Sequence, residues 1–588
     1  MSEAAKRSGN IFDAKVLRRL MAFAKPYRYR FYSIILLTLL LGALAPYRVM
    51  LVDVTVDKYI SVRDWPGLLR MTLFMTVLLI AQSVAQYIYT YQSSWLGQTI
   101  IRDIRIRLYD HVLGLRLKFF DQTQVGRLIT RNISDIETLS DVFTEGLAAM
   151  AGDIIQLVFI VGFMLYTDWR LTLVSLSMFP LLLISTYIFK EGIKSSFNSV
   201  RAAVANMNAF VQEHITGMTV VQFFAAEQRE LKRFTALNTE HRDANIKSVW
   251  YYSIYFPVAE VIGAAGTGLL VWYGAQGVLQ DKVTLGNLIA FIMYIGMFFR
   301  PIRTIADRFN TLQSGIVSAD RIFNLLDNNE TTVDTGTLTP AHLKGDIEFK
   351  DVWFAYTDED WVLKDVNFRV PAGQTVALVG ATGAGKSSVI NLLNRFYNIS
   401  QGQILLDGKS VDDYRLTWLR HRIGIVLQDV FLFSGSIEYN ITLGNPEITR
   451  EQVERAAHLV GAMDFIEKLP GGLDYNVKER GATLSVGQRQ LISFVRAMVY
   501  DPAVIILDEA TSSVDTETEE MIQRAIDKMM AGRTAVVIAH RLSTIRKADS
   551  IILLDKGRIM EQGTHDELLS LEEGMYAKLH KAQYREMV

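Results

Sequence analysis

The sequence predicts an all-α domain of six membrane spans with long helical extensions, followed by an α/β domain built on a largely parallel sheet. Three observations carry this. Long uncharged runs occur only before about residue 300; short β-rich runs alternate with helical stretches after about residue 345; and a polar segment with Thr, Asn, Gly and Pro340, Asp327–Lys344, separates the two. The boundaries expected are 1–30 for an N-terminal amphipathic helix, 31–325 for the membrane domain, 326–345 for a linker and 346–588 for the α/β domain.

The uncharged runs are Phe31–Tyr47, Met71–Ile101, Ile154–Thr167, Leu171–Phe189, Val249–Gln280 (broken by Glu260) and Val283–Phe299. A membrane span needs roughly 17–25 mostly apolar residues. The third run reaches that length once Gly146–Gly152 is added. One such run could be a buried helix of a soluble protein; six in one half of a chain exclude that. Phe12–Lys25 has the pattern of a basic amphipathic helix stopped by Pro26, with Leu17, Leu20, Met21 and Ala24 on one face, as a helix lying on a membrane surface would have. Arg102, Arg105, Arg107, Arg116, Lys118, Arg127 and Arg131 follow span 2, and a second basic set from Lys190 to Lys247 follows span 4. Excess Lys and Arg marks the cytoplasmic side, so both termini, both long connections and the α/β domain are expected there. Ile101, Ile104, Leu108, Val112 and Leu115 recur at helical steps, so the spans should continue as helices into the cytoplasm.

The averages conceal this division. Of 588 residues half are hydrophobic, and 61 Lys and Arg balance 62 Asp and Glu. That excludes a disordered chain and gives no support for a nucleic-acid partner. Cys is absent, so disulfides, thiolate metal sites and a cysteine nucleophile are excluded.

In the α/β domain, Gly380-Ala381-Thr382-Gly383-Ala384-Gly385-Lys386-Ser387 fits G-x-x-x-x-G-K-[ST] between an apolar strand and a helix, the context a phosphate-binding loop requires. Gly380, Thr382, Gly383, Gly385, Lys386, Ser387 and Ser388 form the expected ATP-binding set, with Lys386 on the β- and γ-phosphates and the Ser387 hydroxyl on Mg²⁺. The strand Val504–Leu507 ends in Asp508-Glu509. The first acid suits Mg²⁺ and the second suits the attacking water, as in a P-loop ATPase.

Leu484-Ser485-Val486-Gly487-Gln488 resembles the signature motif of ATP-binding cassette (ABC) transporters. Other motifs of that family stand in the right order. Tyr356 matches the aromatic that stacks on adenine, and Gln428 the glutamine that senses Mg²⁺ and the water. Ser513-Val514-Asp515 resembles the loop after the second acidic motif. His540 matches the switch histidine on the γ-phosphate, and Glu479-Arg480-Gly481 a stretch found in exporters. Six spans followed by one cassette is the exporter half-transporter layout. The resemblance implies ATP and Mg²⁺ as cofactors, with Glu509, His540 and Gln428 as catalytic residues and Ser387, Gln428 and Asp508 at the metal. Ser485, Gly487 and Gln488 would face ATP across a dimer, because each ATP lies between the loop of one cassette and the signature of the other. A second half-transporter subunit is therefore implied. Val486 stands where the usual signature has Gly, which favours a heterodimer over a homodimer.

Short coupling helices are expected near Phe119–Thr123 and Val221–Glu227, the second reaching the partner's cassette. The expected activity is ATP-driven export of amphipathic small molecules, drugs or lipids, across a bacterial cytoplasmic membrane. A nucleotide-gated channel is the alternative. A soluble ABC ATPase acting on DNA or ribosomes is disfavoured by the spans. Arg48, Asp153 and Glu260 are charges in or near spans; Asp153 and Glu260 suit a cationic substrate or structural hydrogen bonds.

Overall fold

The computed structural model describes residues 14–332, 334–357, 359–508, 516–539, 541–571 and 573–584. They form two compact units. One takes the chain up to Val112 and again Gly126–Asn328; the other takes Leu113–Val125 and the chain from Asn329 on.

The first unit is helical. Its elements are α1 (Ala14–Ala22), α2 (Arg28–Thr55) and α3 (Trp65–Leu113), then, after α4 (Leu117–Gln122) of the second unit, α5 (Val125–Thr130), α6 (Ile136–Asp141), α7 (Ala148–Thr167), α8 (Trp169–Leu176), α9 (Phe179–Thr216), α10 (Met218–Phe223), α11 (Glu227–Leu279) and α12 (Leu285–Leu326). Six helical stretches are long and apolar enough to cross a membrane. Helix α11, with 53 residues, is about 80 Å long at 1.5 Å per residue. A bilayer core is only about 30 Å thick, so helices of this length extend well beyond it. Span 3 is continuous from α5 to α7 through two π-helical turns, Arg131–Asp135 and Val142–Leu147. Asp168 separates α7 from α8 and caps the latter, its carboxylate accepting from the N–H groups of Arg170 and Leu171.

The bundle core gathers Ile160, Met164, Leu171, Leu270, Phe291 and Tyr294. Tyr294 is wholly buried, and its hydroxyl donates to the Pro46 carbonyl at 3.1 Å. Pro46, inside α2, has no N–H to donate to the carbonyl four residues before it, which removes one bond from the helix ladder.

Helix α1 packs part of its apolar face within the protein. Val16, Leu20 and Ala24 are buried within the protein, Arg19 makes a two-pronged ion pair with Asp327 (2.7 and 2.9 Å), and its guanidinium lies 4.2 Å from the centre of the Phe323 ring. An amphipathic period specifies an apolar face; it does not distinguish lipid from the flank of another helix.

The charges within the spans are accounted for differently from one another. Asp153 pairs with Arg308 of α12 at 2.8 Å, so this acid has a cation of its own chain beside it. Arg48 donates to Gln82 at 3.3 Å, joining α2 to α3. Glu260 is exposed on α11.

The second unit holds two sheets. Strands β1 (Ile347–Ala355), β2 (Trp361–Val370), β4 (Gln401–Leu406) and β5 (Lys409–Ser410) form an antiparallel sheet in the order β2-β1-β4-β5. Strands β3 (Thr375–Val379), β6 (Ile423–Val426), β7 (Val504–Asp508), β8 (Thr534–Ile538), β9 (Ser550–Asp555) and β10 (Arg558–Gly563) form the other, in the order β10-β9-β3-β8-β7-β6. All pairings in it are parallel except that of β10 with β9. Its central strands are apolar on both faces. Val376, Leu378, Val504, Ile506, Val536 and Ile538 enter one core, while Ala377, Val379, Ile505, Leu507, Ala535 and Val537 enter the other. This is why they appear in the sequence as unbroken hydrophobic runs.

The helices of this unit, after α4, are α13 (Lys386–Leu393), α14 (Leu416–Arg422), α15 (Ile437–Thr442), α16 (Arg450–Val460), α17 (Met463–Ile466), α18 (Val486–Met498), α19 (Thr516–Met530), α20 (Leu542–Lys547), α21 (His565–Ser570) and α22 (Met575–Tyr584). The antiparallel sheet has no counterpart in the sequence reading, which identified the parallel strands alone.

Candidate nucleotide site

The parallel sheet gathers the candidate residues at one edge. Strands β3, β8, β7 and β6 run the same way, with Leu378 beside Ile538, Asp508 beside Ile538, and Val426 beside Leu507. The segment Gly380–Gly385 leaves the end of β3, Asp508 ends β7, and Gln428 lies two residues past β6. Ligand sites of open α/β sheets lie outside the carboxyl ends of such strands. Glu509 and His540 fall outside the described residues, as do Ser513, Val514 and Asp515.

The loop after β3 is shaped by glycine. Gly380 (φ +151°) leaves no room for a side chain, since a Cβ would lie 2.1 Å from the Leu554 carbonyl oxygen. Gly385 (φ +104°) would put a Cβ 2.7 Å from Leu363. Both φ values favour residues without a Cβ. Gly385 is the N-cap of α13, and no side chain caps that end. The first turn of a helix leaves N–H groups without intrahelical partners, so this end is open to an anion.

Lys386 is buried, and its ammonium donates to the carbonyls of Gly380 and Ala381 at 2.8 and 2.9 Å. It therefore bends back over the loop, where a phosphate would lie. Burial pulls its pKa below the ordinary lysine value, and the charge of Asp508 opposes that shift. Ser387, Thr382 and Gln428 are exposed. Ser388 is buried instead, its hydroxyl 3.0 Å from that of Tyr356. Tyr356 stands half-buried, edge-on to Phe354 at 4.7 Å and to Tyr397 at 4.9 Å.

The donor set fits Mg²⁺. Among the described residues no group of three or more His, Cys, Asp or Glu could hold a metal by itself. Mg²⁺ in nucleotide sites takes only one or two protein ligands and completes its shell with phosphate oxygens and water. A hydroxyl at Ser387 and a carboxylate at Asp508 are such a set.

The signature segment opens α18. Ser485 is its N-cap: the side-chain oxygen accepts from the Gln488 N–H at 3.2 Å, and the Gln488 side chain accepts from the Ser485 N–H at 3.0 Å. The S-x-x-Q spacing is a capping box legible in the sequence, which the motif reading passed over. Gly487 is buried, and Val486 is 52% exposed. Further along the helix, the Arg496 guanidinium donates to the carbonyls of Asn440 (2.7 Å) and Phe431 (3.2 Å). Asn440 in turn bonds both backbone groups of Phe433, so α18 is tied to the segment that follows Gln428.

The two arm tips are found close to the expected coupling helices. The first is α4, which belongs to the cassette unit. Arg116 bonds the carbonyls of Glu330 and Thr331 through its backbone N–H and its guanidinium, and the Tyr397 hydroxyl donates to Asp121. The second, α10, belongs to the helical unit and buries none of its residues; Phe223 and the adjoining Phe224 are 83% and 78% exposed. At its base Glu230 is held by Arg229, Arg233 and His214.

Residues 31–302 match the family model of the ABC transporter transmembrane region, and residues 363–512 that of the ABC transporter domain. The chain is 38% identical to an uncharacterized ABC transporter ATP-binding protein, YknV, of Bacillus subtilis (strain 168), over 97% of this chain and 95% of that one. It is 34% identical to an "ATP-dependent lipid A-core flippase" of Syntrophus aciditrophicus (strain SB), again over 97% and 95%. It is 38% identical to a "Probable multidrug resistance ABC transporter ATP-binding/permease protein", YheH, of Bacillus subtilis (strain 168), over 86% of this chain and 75% of that one. The chain belongs to the ABC transporters as an exporter-type half-transporter, an integral membrane protein whose ATPase is coupled to transport.

Proposed function

We propose that the chain is one subunit of a paired exporter of the bacterial cytoplasmic membrane, with termini and cassette in the cytoplasm, moving amphipathic drugs or lipids outward. The observation that carries the nucleotide reading is the convergence of the Gly380–Lys386 loop, Gln428 and Asp508 at one sheet edge. The relatives named for lipid and multidrug transport support the substrate class.

In this reading the first-turn N–H groups of α13 and the Lys386 ammonium hold the β- and γ-phosphates, and Tyr356 stacks on the adenine. Ser387 and Asp508 would hold Mg²⁺, with Gln428 as a further contact, and the ion would supply charge neutralisation to the phosphate oxygens. Glu509 takes a proton from the attacking water as the new P–O bond forms and the bond to the bridging oxygen breaks, releasing ADP. His540 orients the γ-phosphate. Ser485, Gly487 and Gln488 serve the site formed with the partner. The exposed Phe223 and Phe224 of α10 dock on the partner's cassette, as the second coupling helix does in this family. Val486, bulkier than glycine beside a γ-phosphate, favours an unequal partner and a heterodimer.

The test is reconstitution. Vesicles holding the pair should take up a fluorescent amphiphile only with ATP. Glu509→Gln should lower phosphate release by about 10²–10⁴-fold, the usual contribution of a general base; substantial turnover at saturating ATP would remove Glu509 from that role. Intact-mass analysis of the detergent-purified dimer decides the pairing, since two copies of this chain would replace the heterodimer with a homodimer.

A further inference from the structure

The membrane unit carries a groove lined by residues that play no part in the nucleotide site. It has a volume of about 350 Å³ and is lined by Leu173, Val174 and Ser177 of the α8 side and Leu269, Trp272 and Tyr273 of α11. The lining is almost wholly apolar. The Ser177 hydroxyl donates to the Val174 carbonyl at 2.7 Å, so its polar demand is met within the chain.

Depth follows from the helix ends. Helices α7 and α8 are joined by Asp168 alone, and α11 gives way to α12 within five residues, so this is the short-loop end of the bundle. Gly274 of α11 lies against Leu288 of α12 and, next, Leu171 of α8, a Cβ built on it falling 2.5 and 3.7 Å from them. Tyr166, Trp169 and Trp272 are exposed at that end. Exposed Tyr and Trp of membrane proteins concentrate where headgroups meet hydrocarbon. Arg170 shares a helix face with Leu173, Val174 and Ser177, at steps of three, four and seven residues. It therefore sits about one turn, roughly 5 Å, nearer the headgroups than the groove. Its guanidinium lies 5.5 Å from the Trp169 ring, and Asp168 beside it is engaged in capping α8.

We propose that this groove is a binding site for an anionic glycerophospholipid of the leaflet at the short-loop end, with its phosphate on Arg170 and the upper part of an acyl chain between α8 and α11. A cation one turn above an apolar slot, at the level of an aromatic belt, matches the order of phosphate, glycerol and chain in such a lipid. A hydrophobic ligand without a headgroup would have no use for Arg170.

The experiment uses the full-length protein in proteoliposomes containing phosphatidylglycerol with a photoreactive group on its acyl chain, and phosphatidylcholine with the same group as the comparison. Label from phosphatidylglycerol should concentrate on the peptides holding Leu173–Ser177 and Leu269–Tyr273. Leu173→Trp, filling the groove from one wall, should remove most of that label while leaving label elsewhere on the bundle unchanged. Leu269→Trp does the same from the other wall, should the first variant fail to fold. Arg170→Ala should lower the preference for phosphatidylglycerol about fivefold, the value of one basic residue near an anionic headgroup. Basal ATP hydrolysis should persist in all three. Labelling spread evenly around the bundle, or unchanged by both tryptophans, overturns the site; equal labelling by the two lipids overturns its anionic headgroup. The readout is lipid occupancy, so failure here leaves the transport reading standing.

Discussion

Two helix N-termini of the cassette carry the motif residues, and they are built in opposite ways. Helix α13 begins at Gly385 with no side-chain cap, after a loop with three glycines of positive φ. Helix α18 begins at Ser485 with a complete capping box, its end already satisfied by Ser485 and Gln488. The first is an uncapped helix end with a lysine folded back over its loop; the second spends its own polar groups on itself and shows Val486 to the outside. The difference teaches that the two motifs cannot contribute alike. The loop side leaves first-turn N–H groups open toward an anion, whereas the signature side has its cap groups bonded to each other.

The largest effect should come from the loop side. Lys386→Ala removes the charged donor, and hydrogen bonds to charged groups contribute about 1.5–3 kcal/mol each. Phosphate release should fall by about 10²-fold or more at fixed ATP. Near-normal turnover would break the comparison, because the uncapped end would then not need its lysine.

The arm tips repeat the contrast at a larger scale: α4 is bonded into its cassette unit, and α10 leaves Phe223 and Phe224 exposed. Phe223→Ser should leave the melting of the isolated chain within about 0.5 kcal/mol, as exposed positions do. ATP-driven uptake by the assembled transporter should fall about tenfold, the effect of losing some 1.4 kcal/mol at a docking contact. Equal loss of stability and uptake would show that Phe223 packs within its own chain.

Ser485→Ala should cost about 1 kcal/mol of cassette stability through the lost cap, measured by thermal unfolding. A larger loss of turnover than of stability would show that the hydroxyl also serves the nucleotide. The smallest change is expected from Val486→Gly. Its side chain is half exposed at the first helical position, so unfolding should shift by less than about 1 kcal/mol. A rise in ATP hydrolysis of the pair would show that valine weakens one site; no change would make the two signatures equivalent.

Much of this was legible beforehand. The six apolar runs, the parallel strands at Thr375–Val379 and Thr534–Ile538, and the phosphate loop all follow from short-range pattern. The antiparallel sheet was not, because Ile347–Ala355 and Trp361–Val370 mix buried and exposed positions across register shifts that blur alternation. Nor was the engagement of Ser388 with Tyr356, which lie 32 residues apart in the chain.

The sequence by itself determined the order of the two units, the membrane character of the first and the phosphate chemistry of the second. Periodicity, run length and glycine placement are local properties, and each of these conclusions needs only local information. Tertiary structure alone decided that Val16 and Leu20 of α1 and the nearby Ala24 are buried within the protein, and that Asp153 has Arg308 for a partner. It also decided that Asp121, from between spans 2 and 3, bonds Tyr397 of the cassette unit. These depend on which distant segment supplies the other half of a contact, and a linear pattern of hydrophobicity and charge specifies a face without specifying what covers it.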